Sequence, residues 1–77
     1  MDSPTRNERS VEIGRKVRTM RDECGMKQNH LARKAGISRE ELSRIERGRV
    51  VPMIKTLQGL SAALGVSLGD LLKEGRE

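Results

Sequence analysis

Four polar side chains between residues 39 and 44 carry the groups best suited to hydrogen bonding with a partner. They are two guanidinium groups, a carboxylate and a hydroxyl: Arg39, Glu40, Ser43 and Arg44. On a helix, all four lie on the side opposite Leu42 and Ile45. A guanidinium fits O6 and N7 of guanine, and a carboxylate accepts from the amino group of cytosine. The spacing therefore predicts a face that reads base edges in a G·C-containing site; a merely solvated, charged face is the alternative.

The segment from residue 28 to residue 48 predicts two short helices joined by a tight turn. Its apolar positions are Leu31, Ala32, Ala35, Ile37, Leu42 and Ile45. Gly36 stands at the turn, because glycine takes a positive φ without steric cost. Ser38 begins the second of these helices, and Glu41 three residues later completes a capping-box pattern. Two helices joined in this way form a helix-turn-helix unit, whose second helix enters the major groove of DNA.

The remaining sequence predicts three more helices around this unit. Ile13, Val17, Met20 and Cys24 form one apolar stripe on a first helix that begins at a Thr5 or Ser10 cap and ends at Gly25. In this stripe Cys24 is interpreted as a small core residue. The helices of the unit are expected over about 27–35 and 38–47, with Gly48 closing the second.

The last two helices are predicted from a proline, a glycine stop and a second cap. Pro52 is expected to start the fourth helix, whose apolar positions are Ile54, Leu57, Leu60, Ala63 and Leu64. Gly59 inside it could permit close packing. After a stop at Gly65, Ser67 and Asp70 form a cap for a fifth helix that carries Leu68, Leu71 and Leu72. The predicted fold is all-α: a compact five-helix bundle over 10–74, after a flexible arm over 1–9 in which Arg6 and Arg9 could touch DNA or remain solvated.

The composition limits the classes of function. The 77 residues form one domain with 16 Lys and Arg against 11 Asp and Glu, a net charge of +5. This balance favours nucleic acid first and an anionic membrane surface second, or it simply maintains solubility. The chain has no Phe, Tyr or Trp, which argues against stacking on single strands. We therefore expect double-stranded DNA as the partner.

The residue types needed for catalysis or metal binding are scarce. Cys24 and His30 are the single cysteine and the single histidine, so a metal cluster is not expected. Paired carboxylates, an activated nucleophile and a phosphate-binding glycine loop are also missing from the pattern. We expect no enzyme activity, no cofactor and no small-molecule substrate. The sequence lacks both a signal-peptide pattern and a spanning apolar run, so we expect a cytoplasmic protein with no membrane partner.

Two strings of sequence resemble the lambda-repressor/Cro-like, or Xre-type, helix-turn-helix family. They are IGRKVRTMRDECGMKQNHLARKAGISREELSRIERG and VPMIKTLQGLSAALGVSLGDLL, about 60 of the 77 residues. The resemblance implies a five-helix domain that binds operator DNA as a dimer. It implies base contacts from Arg39, Glu40, Ser43 and Arg44, and a structural salt bridge between Arg21 and Glu46. The side chains assigned to the DNA backbone are Lys27, Gln28, Ser38, Arg47 and Arg49.

The start of the second helix departs from the family pattern. Relatives usually have Ser or Thr and, three residues later, Glu, where this chain has Lys27 and His30. The side-chain cap is therefore missing, and the free N–H groups need another acceptor. We hypothesise that a DNA phosphate supplies it, since a helix N-terminus favours anions and Lys27 adds charge. Water is the alternative.

Aliphatic residues after the third helix depart from the pattern as well. Val50 and Val51 stand where relatives tend to be polar, and Leu68 is a further apolar residue of the fifth helix. We expect them to form a two-fold homodimer interface that presents two recognition helices ~34 Å apart. The alternative is that both valines fold under the fourth helix.

Two functions follow from these observations. The first is a small transcriptional regulator, a repressor or controller protein, that reads a palindromic operator in the major groove. The second is an antitoxin-like module that binds a partner chain. The density of arginine on the third helix and its following loop favours DNA.

Overall fold

The computed structural model describes residues 8–73, which form five helices and, within that range, no strand. The helices are α1 (Glu8–Glu23), α2 (Gln28–Ala35), α3 (Arg39–Glu46), α4 (Ile54–Leu64) and α5 (Leu68–Leu72). The all-α, five-helix prediction is confirmed. Helix α1 begins earlier than expected: Glu8 and Arg9, assigned above to the arm, form its first turn, where the acidic Glu8 suits the helix dipole. Thr5 and Arg6 lie outside the described residues.

The predicted glycine stop and the Ser38 cap are confirmed at the turn of the helix-turn-helix unit, whereas the reciprocal half of the capping box, from the Ser38 N–H to the Glu41 carboxylate, does not form. Gly36 has φ 80°, and the N–H of Ile37 donates to the carbonyl of Ala32 at 3.0 Å, which ends α2. At the start of α3 the Ser38 hydroxyl accepts from the Glu41 N–H at 3.0 Å. These bonds fix the angle at which the chain leaves α2 and enters α3.

The second predicted cap is present in full at the start of α5. The Ser67 hydroxyl accepts from the Asp70 N–H at 3.0 Å, and the Asp70 carboxylate accepts from the Ser67 N–H at 3.2 Å. Both partners of the capping box are therefore satisfied. The start of α4 differs from the prediction: Met53 is its N-cap and Ile54 its first residue, so Pro52 lies just before the helix.

One core joins all five helices. Its buried members are Ile13, Val17, Leu31, Ala32, Leu42, Ile45, Leu57, Leu60, Leu64 and Leu71. Helix α2 packs mainly against α4 and α3, while α1 packs on α3, and α5 packs on α4 and α1. The helix-turn-helix unit of α2 and α3 is therefore packed between α4, which contacts α2, and α1, which contacts α3.

Three core or cap predictions are wrong. Cys24 is exposed, because α1 ends at Glu23 and the chain turns at Gly25 (φ 71°), and Met26 packs against the core instead. Ile54 is exposed because side chains tilt towards the N-terminus, so the first residue of a helix projects past its end. Ser10 lies buried inside α1 and is not its cap.

Close backbone contacts lock the helices together. A Cβ on Gly14 of α1 would lie 2.9 Å from the carbonyl oxygen of Glu46 and still closer to that of Ile45. Nearby, the buried Ser10 hydroxyl donates to the carbonyl of Gly48 at 3.2 Å. Helix α1 thus packs closely against the C-terminal end of α3. A Cβ on Gly59 would lie 2.7 Å from the Ala35 carbonyl oxygen, so Gly59 permits the close packing of α4 on α2 as expected.

Candidate nucleic-acid interface

Helix α3 presents the predicted polar residues on one outer face. Leu42 and Ile45 are buried beneath it, while Arg39, Glu40 and Arg44 are exposed and Ser43 is half-buried. The guanidinium groups carry no salt bridge to another described residue. They are consequently available to an outside hydrogen-bond acceptor.

A buried carboxylate at the end of α3 ties three helices together. Glu46, whose side chain is 3% exposed, accepts from Arg21 Nε at 2.7 Å and from Arg21 Nη2 at 3.1 Å. Arg21 Nη1 also donates to the carbonyl of Met26 at 2.8 Å. The Gln28 amide donates to Glu46 Oε1 at 3.0 Å. The salt bridge that the resemblance implied is confirmed, and it fixes α3 relative to α1 and α2.

The positive charge of Arg21 is stabilised by its surroundings. The hydrogen bonds that Arg21 donates to the Glu46 carboxylate raise the pKa of Arg21 above its ordinary value, although burial opposes the rise. A cation with a raised pKa contributes its stabilisation at every pH below its ordinary value and loses it only in strong alkali. Arg21 therefore remains charged at neutral pH.

The N-terminus of α2 lacks a side-chain cap, as predicted. Lys27 is the N-cap residue with φ −84° and ψ 160°, and it makes no side-chain cap hydrogen bond. Within the first turn Gln28 is turned towards Glu46, and Asn29 and His30 are exposed. An uncapped helix N-terminus beside the positive charge of Lys27 favours an anion.

An open cleft of about 580 Å³ joins these features. Its lining residues are Arg18, Arg21, Lys27, Gln28, Asn29, Arg39, Ser43, Glu46 and Arg47. Five of them are cations and one is a carboxylate, and that carboxylate is already paired with Arg21. The cleft is therefore strongly positive, and a polyanion is the partner that it fits.

The cleft contains some of the predicted contact residues and not others. It brings together Lys27, Gln28, Arg39, Ser43 and Arg47. The other predicted DNA-facing residues lie outside its lining: Ser38, Glu40, Arg44 and Arg49. Arg18 and Asn29 were not among the residues predicted from the sequence. The signal for Arg18 was its spacing, since it stands three residues before Arg21 on α1 and shares that side of the helix.

The three aliphatic residues predicted at a dimer interface occupy different environments. Val51 is 56% exposed, whereas Val50 and Leu68 are half-buried and pack against the core. Two further apolar side chains, Met53 and Ile54, are exposed beside Val51 in the chain. The exposed aliphatic surface is thus centred on the segment that enters α4 rather than on α5.

Comparison with known proteins agrees with this geometry. A family model described as helix-turn-helix matches residues 17–71. The transcriptional regulator SinR of Bacillus subtilis is 41% identical over 66 residues, which cover 84% of this chain and 60% of SinR. The immunity repressor of Bacillus phage phi105 is 36% identical over 62 residues, 80% of this chain and 43% of the repressor. The chain therefore spans about half the length of these curated relatives.

Solved structures of two proteins in complex with DNA share the fold. SinR bound to DNA superimposes with a TM-score of 0.75 and 40% identity, covering 79% of this chain and 98% of that one. The P22 c2 repressor bound to a synthetic operator has a TM-score of 0.75 and 33% identity, covering 79% and 92%. The comparisons give no support to the antitoxin-like alternative.

None of the helices within residues 8–73 is both long and apolar enough to cross a membrane. The matched proteins are transcriptional regulators and repressors, which are not enzymes. The sequence pattern, the five-helix fold and the match over residues 17–71 agree, and the chain belongs to the lambda-repressor-like, Xre-type helix-turn-helix family of transcriptional regulators.

Proposed function

We propose that this protein binds double-stranded DNA in a sequence-specific way and regulates transcription from a palindromic operator, in the cytoplasm. The observation that carries the proposal is the arginine-bearing outer face of α3 beside a positive cleft. Helix α3 would enter the major groove, and Arg39 and Arg44 would donate to guanine, with Glu40 and Ser43 beside them.

Backbone contacts would orient α3 in the groove. Lys27, Arg47 and Gln28 line the cleft next to α3, and Arg49 is exposed just after it. The Ser38 hydroxyl accepts from the Glu41 N–H and retains its own proton for a phosphate oxygen. A phosphate at the N-terminus of α2 would also supply the cap that Lys27 cannot.

A homodimer would place two such faces on one operator. The exposed Val51 with its neighbours Met53 and Ile54 offers an aliphatic patch, and Val50 and Leu68 extend it with partly buried surface. A two-fold axis through this patch makes the contact self-complementary. The two copies of α3 would then meet successive major grooves about 34 Å apart.

Selection of the protein against random duplex DNA at near-physiological salt tests the proposal. We expect enrichment of a palindrome whose G·C-containing half-sites lie about one helical turn apart. Arg39→Gln should relax the preference at one base position, with a loss of about 1–3 kcal/mol. Arg33→Gln, an equal change of charge on an exposed residue of α2 outside the cleft, is the control. Binding that is salt-sensitive but indifferent to sequence would refute the proposal.

A further inference from the structure

Arg18 is a cation of α1 that the proposed base and backbone contacts do not include. It is exposed, lines the positive cleft, and forms no salt bridge with another described residue. Arg21, the other α1 residue in the cleft, has its charge matched by Glu46 and Asp22. Within the cleft, Arg18 is therefore the cation of α1 whose charge is not neutralised by a neighbouring carboxylate of the described residues.

The position of Arg18 distinguishes phosphate from base as its partner. The major groove is about 12 Å wide and admits one helix, which here is α3. Helix α1 packs behind the C-terminal end of α3 through Gly14 and Ser10. A side chain of α1 that reaches the same cleft therefore meets the wall of the groove, which is the sugar–phosphate backbone.

We infer that Arg18 binds a DNA backbone phosphate, so that α1 holds the strand that passes the N-terminus of α2. The inference rests on the proposed function and deepens it. The strand would lie between Arg18 on one side and Lys27 with the leading N–H groups of α2 on the other. A contact of this kind strengthens binding to every sequence and carries no base preference.

The experiment compares Arg18→Gln with Arg15→Gln by fluorescence anisotropy. Arg15 has the same charge as Arg18 and is exposed on the same helix, but it does not line the cleft. Arg15→Gln therefore controls for the loss of one positive charge from α1. Each protein is titrated with the selected operator and with a scrambled duplex between 50 and 200 mM salt. Melting curves confirm that both variants fold.

The logarithm of the binding constant falls linearly with the logarithm of the salt concentration. Arg18→Gln should make this slope less steep by about 0.9 on both duplexes. At 0.15 M salt this corresponds to an affinity loss of about fivefold, if the loss vanishes at 1 M. Arg15→Gln should match the wild type, and Arg18→Lys, which keeps the charge, should restore the slope.

Two results would overturn the inference. One is an Arg18→Gln slope equal to that of Arg15→Gln. The other is a loss of preference for the operator with an unchanged slope, which would make Arg18 a base contact. Failure of the proposed function looks different, because the wild type would then bind operator and scrambled duplex equally. A lower slope for Arg18→Gln would still support the phosphate contact in that case.

Discussion

Replacement of Gly14 by alanine should change the packing of α1 against α3 without altering the residues that we propose to contact DNA. The new Cβ would lie 2.9 Å from the carbonyl oxygen of Glu46 and closer still to that of Ile45. Ordinary contact begins at 3.4 Å, so α1 and α3 must separate by at least 0.5 Å. Both oxygens belong to the backbone of the last turn of α3 and cannot rotate aside.

The cost follows from two opposing effects. Overpacking of this kind costs ~1–3 kcal/mol, and two backbone clashes place Gly14→Ala near the upper end. Alanine in a helix interior recovers ~1 kcal/mol relative to glycine. The expected net loss is ~2 kcal/mol, which lowers Tm by about 8–16 °C in a domain of this size.

Thermal melting followed by circular dichroism measures the effect, with Gly69→Ala as the control. Gly69 lies in α5, and a Cβ there would meet only the Ser67 hydroxyl oxygen at 3.7 Å. The Tm of Gly69→Ala should equal that of the wild type or lie slightly above it. At a temperature where Gly14→Ala is folded, its operator affinity should also fall, since α3 has moved relative to α1. A Gly14→Ala protein that melts with or above the wild type would refute the reasoning.

Four further changes test other parts of the structure. Lys27→Ser should supply the missing α2 cap, raising stability by ~1 kcal/mol while weakening DNA binding; unchanged melting and affinity would contradict the phosphate-cap hypothesis. Glu46→Gln should cost about 3 kcal/mol in denaturant unfolding, because the mostly buried Arg21 is left with only the exposed carboxylate of Asp22 as a counter-charge; a midpoint equal to that of wild type would count against it. Gly59→Ala should cost ~1 kcal/mol net, as measured by Tm, because crowding the end of α2 (~1–3 kcal/mol) outweighs the ~1 kcal/mol that alanine recovers in a helix interior. Val51→Asp should shift sedimentation at micromolar concentration from dimer to monomer; a protein that stays dimeric would exclude this patch as the interface.

Local patterns in the sequence predicted most of the architecture. Turn glycines, the Ser38 and Ser67 caps and the spacing of leucines act within one or two turns, so the residues themselves specify the helix-turn-helix unit and both caps. The same locality explains the errors. Cys24 was predicted to be buried because the periodic pattern extends α1 past Glu23, where the helix ends. Ile54 was predicted to be buried because the pattern does not distinguish the first residue of a helix from an interior one.

Residue types and their spacing along the chain were enough to predict the polar outer face of α3, because that face depends only on the helical period of 3.6 residues. Residue types alone also predicted the uncapped start of α2 and a nucleic-acid partner. Only the tertiary structure placed Arg18 of α1 in the same cleft as Lys27 and Arg47. It also separated the exposed Val51 from the partly buried Leu68. Both results depend on how α1 and α5 pack against the unit, and packing between helices distant in sequence is set by shape and close backbone contact rather than by local pattern.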